Sequence, residues 1–413
     1  MSNQSQTTVF GVDQRIVALG FARMADAMGN SFLIVVLPLY IASNYVHGTF
    51  FGFTESMITG LVIGLFGLVS SFFQPITGIV SDKYGKRTIF VIAGLAIFTL
   101  ANISYSFADT YWTMLIIRSV QGLAAALTIT TSVALVSEVS LPVNRGRNMG
   151  IYNSFRLVGF GLGPLLSGVM IESGPYHFPV LGEVNGFIAA FMFAALMAFI
   201  SVILVSFLVN DPEETKPSTG KVSFRFTSDD PDKILDPIFA LGLSTFIMSS
   251  GFSLLAAIEP QINQRFDQGA FMFALEFSAM VGMLAITQPI VGSLSDKYGR
   301  KRFILTGLIL LGPITFLQGL SVESWQLIVT RLLQGISGAM VLAPALALAG
   351  DLTENGQSGS KLSILTVAFG IGISFGSFMS GFTVQFGFLV PFAIGAVLAL
   401  IGALLVYTQV PNK

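Results

Sequence analysis

Twelve stretches of this chain are apolar for the length that a bilayer demands. They fall near residues 16–42, 56–80, 88–107, 111–138, 146–172, 184–209, 235–264, 270–295, 302–321, 324–350, 360–385 and 388–408. A helix rises about 1.5 Å per residue, so about 20 apolar residues cross a hydrocarbon core about 30 Å thick. Within that core no water satisfies backbone N–H and C=O groups, and only helices or a closed barrel can span it. Barrel strands alternate polar and apolar side chains at every second residue; these stretches do not. The expected fold is an all-α membrane protein with twelve transmembrane helices. Only 10% of the residues are charged, against about 25% in a soluble domain.

Several function classes recede on composition. A formal charge of −1 offers no basic excess for nucleic acid. There are no cysteines, hence no disulfide, thiolate or Cys-type metal chemistry. The two histidines, His47 and His177, fall in separate predicted loops, so neither a metal site nor a cofactor is expected. No Walker-type glycine loop or catalytic triad stands out, which disfavours an enzyme and an ATP-driven pump. The opening MSNQSQTTVFGVDQR lacks a basic n-region, so the first apolar stretch reads as a span and not as a signal peptide.

Polar residues then set the layout. The segment DPEETKPSTGKVSFRFTSDDPDK, residues 211–233, separates spans six and seven. It predicts a linker over 210–234 between six-helix bundles at 1–209 and 235–413. In this layout 16 of the 21 Lys and Arg share one face with both termini and the linker; the other face holds Arg265, and four arginines lie within spans. The positive-inside rule makes the basic face cytoplasmic. A multi-pass protein of the cell membrane with both termini cytoplasmic is expected.

The chain also repeats itself. GIVSDKYGKRTIF, residues 78–90, returns as GSLSDKYGRKRFI, residues 292–304. RSVQGLAAAL (118–127) returns as RLLQGISGAM (331–340), Gly163, Ser167 and Gly168 as Gly376, Ser380 and Gly381, and Glu138 as Asp351. Such spacing marks a duplicated six-helix unit, and two parallel repeats about an axis along the membrane normal are typical of secondary transporters. A Lys/Arg cluster between spans is by itself an ordinary topology anchor. That account leaves the aspartates and the glycines Gly85 and Gly299 without a purpose. An Asp near a helix end can accept from a neighbouring helix N-terminus, so Asp82 is expected to clamp span eleven near Lys361. Asp296 would clamp span five near Arg145 and Arg147. Glu138 is expected to pair with Arg87 or Lys86, and Asp351 with the basic run Arg300–Arg302, completing a gate on the cytoplasmic side.

The stretch G-x-x-S-D-K-Y-G-K-R resembles the loop signature of the major facilitator superfamily. RSVQG at 118–122 resembles the helix-four signature of its drug:proton antiporters. GFGLGPLLSG at 159–168 resembles their helix-five element, although it ends Ser167–Gly168 in place of Gly–Gly, and Ser377 stands where the second half would carry the proline. The resemblance implies two pseudo-symmetric six-helix bundles, alternating access, a small-molecule substrate, protons as the coupling ion and a monomeric unit. It also implies a proton-coupling role for Arg118. In span five, Gly159, Gly163 and Gly168 make a small-residue surface for close packing. Pro164 removes a backbone donor, so this stretch reads as a hinge or as ordinary bundle packing.

Five ionisable residues sit deep within spans: Arg23, Asp26, Arg118, Arg156 and Arg331. Such groups normally face a wet interior and mark function. Arg23, Asp26 and Asn30 share one helical face. Asp26 is either the protonatable group of a central cavity or half of a private pair with Arg23. Arg118 with Gln121, and Arg331 with Gln334, repeat one face in the two halves, and Arg331 alternatively only binds backbone carbonyls. If all five face one cavity its charge is +3, which favours an anionic or neutral substrate. Glu259 and Glu276 read as an outer rim paired with Arg265. Phe21, Met24, Met28, Phe155, Phe246, Met248 and Phe252 read chiefly as packing residues. The function expected is proton-coupled efflux of small lipophilic organic compounds. The alternatives are an organic anion or metabolite symporter or facilitator, and a non-transporting receptor on the same fold.

Overall fold

The computed structural model describes residues 8–9, 12–43, 45–140, 144–178, 182–211, 226–228, 233–352 and 358–411; of 8, 9, 12, 145, 146, 178 and 358–363 it describes the backbone alone. Thirteen α-helices follow in order among these residues: α1 Gln14–Ile41, α2 Glu55–Tyr84, α3 Thr88–Ser104, α4 Tyr111–Val139, α5 Arg145–Glu172, α6 Gly186–Leu208, α7 Pro237–Ser253, α8 Glu259–Phe266, α9 Ala270–Tyr298, α10 Arg300–Leu320, α11 Ser324–Asp351, α12 Ser358–Thr383 and α13 Val390–Gln409. All but α8 belong to twelve helical segments long and apolar enough to cross a membrane. The seventh span is shorter than its apolar run suggests. It closes in a 3-10 turn, Leu254–Ala257, and α8 starts anew. Pro260 lies in the first turn of α8, where its missing N–H costs nothing, and further inside one helix it would have cost a backbone bond. Two short hairpins, Thr8–Val9 with Val12–Asp13 and Tyr176–Phe178 with Gly182–Val184, lie outside the spans.

The repeated glycines end helices. Gly85 (φ 65°) follows α2 and Gly299 (φ 101°) follows α9, each in a backbone region that side chains resist. The following helix, α3, has no cap of its own, and Asp211 supplies one from far along the chain. Its Oδ1 accepts from the Arg87 N–H at 2.8 Å and the Thr88 N–H at 2.9 Å. The far end of the interhelical segment is held by Gln409, whose Oε1 accepts from the N–H groups of Ile234 and Leu235. Most of the expected linker, 212–225 and 229–232, lies outside the described residues.

Helix α1 packs on α5 and α6, α3 on α4 and α6, and α2 on α4; α11 packs on α9 and α10, α13 on α7 and α10, and α7 on α12. Each set of helices has its own apolar interior, for example Leu33, Val36 and Phe191 in the first and Leu308, Val341 and Ala399 in the second. The outside is apolar too: Phe207 is 81% exposed and Leu404 62%. That inversion suits lipid and not water.

Two helix pairs make most of the contact between the sets, α2 with α12 and α5 with α9, and α8 adds a smaller contact with α1. Small residues bring the first pair together. A Cβ on Gly64 would stand 2.8 Å from the Ser374 carbonyl, and one on Gly67 would stand 2.7 Å from that of Gly370. The strip runs from Ser56–Gly381 to Ser71–Val367. The second runs from Glu172–Phe271 to Gly161–Val281. Both strips begin at the face opposite the basic loops and stop part-way. Nearer the basic loops, Gly150 of α5 and Gly282 and Gly292 of α9 face open space. Among the described residues the close contacts between the two sets thus lie towards the face opposite the basic loops.

Candidate functional site

Where the two sets of helices meet there is a cavity of about 60 Å³. Its wall takes Ile34 and Ile63 from α1 and α2, Arg156 and Phe160 from α5, Phe252 from α7 and Phe277 and Met280 from α9. The rings of Phe160 and Phe277 meet across the seam, 6.0 Å between centroids. Drug-sized ligands occupy roughly 300–1,000 Å³, so this conformation is nearly collapsed around the site. A wider hollow of about 540 Å³ opens at the other face, walled by the Gly48–Ser56 loop, Tyr111 and Gln261; it lies among loops, away from the buried charges.

The five charges expected to share one cavity are distributed over four places. On α1, Arg23 donates to Asp26 Oδ2. The other carboxylate oxygen, Oδ1, is buried without a partner. In the second place, on α4, the fully buried Arg118 donates to Gln121 Oε1 at 3.0 Å and to Asn30 Oδ1 at 3.1 Å, with Phe66 beneath it at 4.7 Å. Gln121 extends this cluster to Asn102 and receives the Tyr105 hydroxyl. Arg331 builds the same arrangement on α11. It donates to Gln334 Oε1 at 2.6 Å and to the Phe252 carbonyl at 3.2 Å, over the Phe277 ring. Gln318 takes the place of Tyr105 as donor to that glutamine. Of the five, Arg156 alone lines the central cavity. The +3 count therefore does not describe that cavity, and the cation bonded to Asp26 is Arg23, not Arg118.

Among the gate residues, Glu138 pairs with Arg87 and Asp351 with Arg300, as expected. Asp82 binds Arg87 at 2.7 Å, and Arg87 binds Glu138 at 2.7 Å. Asp296 binds Arg300 at 2.8 Å, and Arg300 also binds Asp351. Among the described residues both aspartates close an ion triad inside their own set of helices; the expected clamps onto the side chains of Lys361 and Arg145 fall outside those residues. An arginine five or four residues on, past the helix-ending glycine, turns back onto each carboxylate. Arg147 is exposed.

The same duplicated organisation appears in comparison with known proteins. A family model, Major Facilitator Superfamily, matches residues 19–235 and 241–413. The chain belongs to the major facilitator superfamily. It is 22% identical to an uncharacterised MFS-type transporter of Methanocaldococcus jannaschii, over 90% of this chain and 91% of that one. It is 27% identical to a multi-drug resistance efflux pump PmrA homolog of Lactococcus lactis, over 77% and 75%. Among solved structures, a bacterial homolog of the human lysosomal transporter Spinster superposes with a TM-score of 0.75 at 14% identity, covering 95% of each chain; this likeness shows the fold. The protein is an integral multi-pass membrane transporter.

In this major facilitator protein the helix-five glycines divide their work. Gly159 and Gly163 seat α5 against Met24, Met28 and Ser31 of α1, while Gly168 meets Phe271 and Ala270 of α9 across the seam. Helix α5 runs unbroken through Pro164. Glu259 and Glu276 are no outer rim: both are fully buried. Among the described residues neither carboxylate oxygen of Glu259 makes a hydrogen bond of full geometry, although the Asn263 side chain lies within reach; one oxygen of Glu276 lacks a partner and the other accepts from Gln268 at 3.1 Å. Arg265 pairs with neither; it donates to the Ser321 carbonyl and lies over Phe388. Of the seven Phe and Met residues weighed above, only Phe252 reaches the cavity.

Sequence reasoning passed over the α2–α12 seam, although Gly60, Gly64 and Gly67 opposite Gly370, Ser374 and Ser377 carry a visible small-residue rhythm of four and three. It also passed over Glu172, which caps α9 by accepting the Phe271 N–H at 2.9 Å. Tyr152 was missed as well. It is buried, bonded to Ser132, and within electrostatic reach of Arg23, Asp26 and Arg156. No spacing rule joins residues 26, 132 and 152, so only packing reveals that group.

Proposed function

We propose that this transporter exports small lipophilic organic compounds by alternating access, driven by protons entering the cell. The observation that carries the reading is the apolar interdomain cavity whose one charged wall residue, Arg156, lies within electrostatic reach of Arg23, the partner of the buried Asp26. A carboxyl group buried with one oxygen unpaired is the kind of group that can take and return a proton as its surroundings open and close. Substrate in the cavity is then sensed at Asp26 through two guanidinium groups. The basic face is cytoplasmic on the positive-inside rule, which sets both termini and the linker there in the cell membrane. One chain, with its linker at 210–234 joining bundles 1–209 and 235–413, is the working unit.

Reconstitution tests the reading. Wild-type protein in proteoliposomes is given an imposed proton gradient and a panel of cationic, neutral and anionic lipophiles, beside Asp26→Asn. Proton movement that starts on substrate addition and is lost in Asp26→Asn supports it. Transport that proceeds equally in both proteins without proton movement overturns the coupling.

A further inference from the structure

We propose that the cavity takes an amphipathic organic molecule bearing one anionic group, with the acid head on Arg156 and the apolar body between Phe160, Phe252 and Phe277. This rests on the reading of the cavity as the transport site. The four arginines within the spans are not equivalent. Arg23 has Asp26, Arg118 has Asn30 and Gln121, and Arg331 has Gln334 and the Phe252 carbonyl. Arg156 has neither a hydrogen-bond nor an ion-pair partner among the described residues; the groups that act on it electrostatically are Arg23 and Tyr152. The Tyr152 hydroxyl is engaged by Ser132. Asp26, the one carboxylate of the cluster, is taken by Arg23. Two guanidinium groups against one carboxylate leave a single positive charge, and it projects into the cavity.

The wall offers nothing to offset that charge. Apart from Arg156, its polar side chains are Ser253 and Ser377, and both hydroxyls bond to backbone carbonyls. A guanidinium carries its charge at neutral pH and holds five N–H donors in a fork suited to two oxygens of one acid. Arg156 is only partly exposed, and a guanidinium drawn further from water by an apolar ligand is costly without a partner. A carboxylate, sulfonate or phosphate head supplies the partner. A neutral lipophile leaves the charge unmet, and a cation is repelled by it. The rings opposite provide apolar area for the rest of the molecule.

The test compares two probes that differ only by a sulfonate: 8-anilinonaphthalene-1-sulfonate and N-phenyl-1-naphthylamine. Binding to the full chain in micelles is measured by equilibrium dialysis against protein-free micelles, for wild type, Arg156→Gln and Arg156→Lys. Wild type is expected to bind the sulfonate roughly tenfold or more tightly than the neutral parent. Arg156→Gln is expected to erase that ratio while keeping its affinity for the parent, which reports an intact cavity, and Arg156→Lys to restore much of the ratio. A ratio that Arg156→Gln leaves unchanged, or a wild type that prefers the parent, overturns the inference and spares the transport site. Absence of saturable binding of both probes by wild type overturns the site and the inference together.

Discussion

Arg87 and Glu138 are joined by two parallel hydrogen bonds, Nε to Oε2 at 2.9 Å and Nη2 to Oε1 at 2.7 Å. They tie the loop after α2 to the end of α4, and the Arg87 guanidinium also takes Asp82 at 2.7 Å. The duplicated triad, Asp296–Arg300–Asp351, has the same connectivity but not the same surroundings. The side chain of Glu138 is 16% exposed, whereas Asp296 and Asp351 are 58% and 50% exposed.

Burial therefore predicts unequal mutants from near-identical sequences. Glu138→Gln strips a charge-assisted pair from a mostly buried arginine and is expected to cost about 1–3 kcal/mol. Asp351→Asn, in solvent, is expected to cost less than about 1 kcal/mol. Unfolding midpoints in detergent decide, and equal losses would refute the burial argument.

Arg118 and Arg331 share geometry but differ in their outlying partners: Arg118 reaches Asn30 on α1, and Arg331 reaches the backbone of α7 and α9. Lysine lacks the fork that serves several acceptors at once. Both Arg→Lys changes are expected to destabilise by about 1–3 kcal/mol. Only Arg118→Lys, through the helix that carries Asp26, is expected to lower proton flux per substrate in proteoliposomes as well. Equal flux defects in the two variants would remove the functional distinction.

The closed seam can be wedged. A leucine at Gly64 drives side-chain atoms into the Ser374 backbone, and α2 must part from α12. Because the chain has no cysteine, a single Ser56→Cys reports opening of that face without background. Its labelling rate is expected to rise roughly tenfold, corresponding to a population shift of about 1.4 kcal/mol. An unchanged rate with intact folding would show that the seam does not hold this face shut.

Glu259 is buried, with the Asn263 side chain within reach but no hydrogen bond of full geometry to either carboxylate oxygen among the described residues. Its amide isostere removes any cost of keeping a charge away from water. Glu259→Gln is expected to raise the unfolding midpoint or leave it level, with an upper gain of about 2 kcal/mol. A marked fall would reveal a partner that the present geometry does not supply.

Asp211 caps α3 from outside the helix. Asp211→Ala is expected to cost about 1 kcal/mol, while Asp211→Asn, which keeps an acceptor oxygen, should cost less. Thermal unfolding separates the two.

Much of this was legible beforehand because it depends on local chemistry. Span length follows from bilayer thickness, and the repeated SDKYG stretch places a helix end twice because a glycine can take a backbone turn that other residues resist. Glu138 and Asp351 find arginines of the basic loops, as charge and repeat position suggest. The apolar run at 235–264 misled, since apolarity says nothing about where a proline interrupts a helix. The outer-rim reading of Glu259 and Glu276 failed for a related reason: their depth depends on how α8 folds back onto α1 and α9.

Taken alone, the sequence determined that this chain must be helical, must lie in lipid, and must be built from two copies of one unit, because each follows from hydrophobic length and from repetition along the chain. Which arginine within the spans is paired and which faces the cavity was decided only by tertiary structure. Arg23, Arg118, Arg156 and Arg331 look alike along the chain, and a partner such as Asn30 for Arg118 comes from another helix. Desolvation and hydrogen bonding act between atoms a few ångströms apart, and packing alone sets which atoms those are.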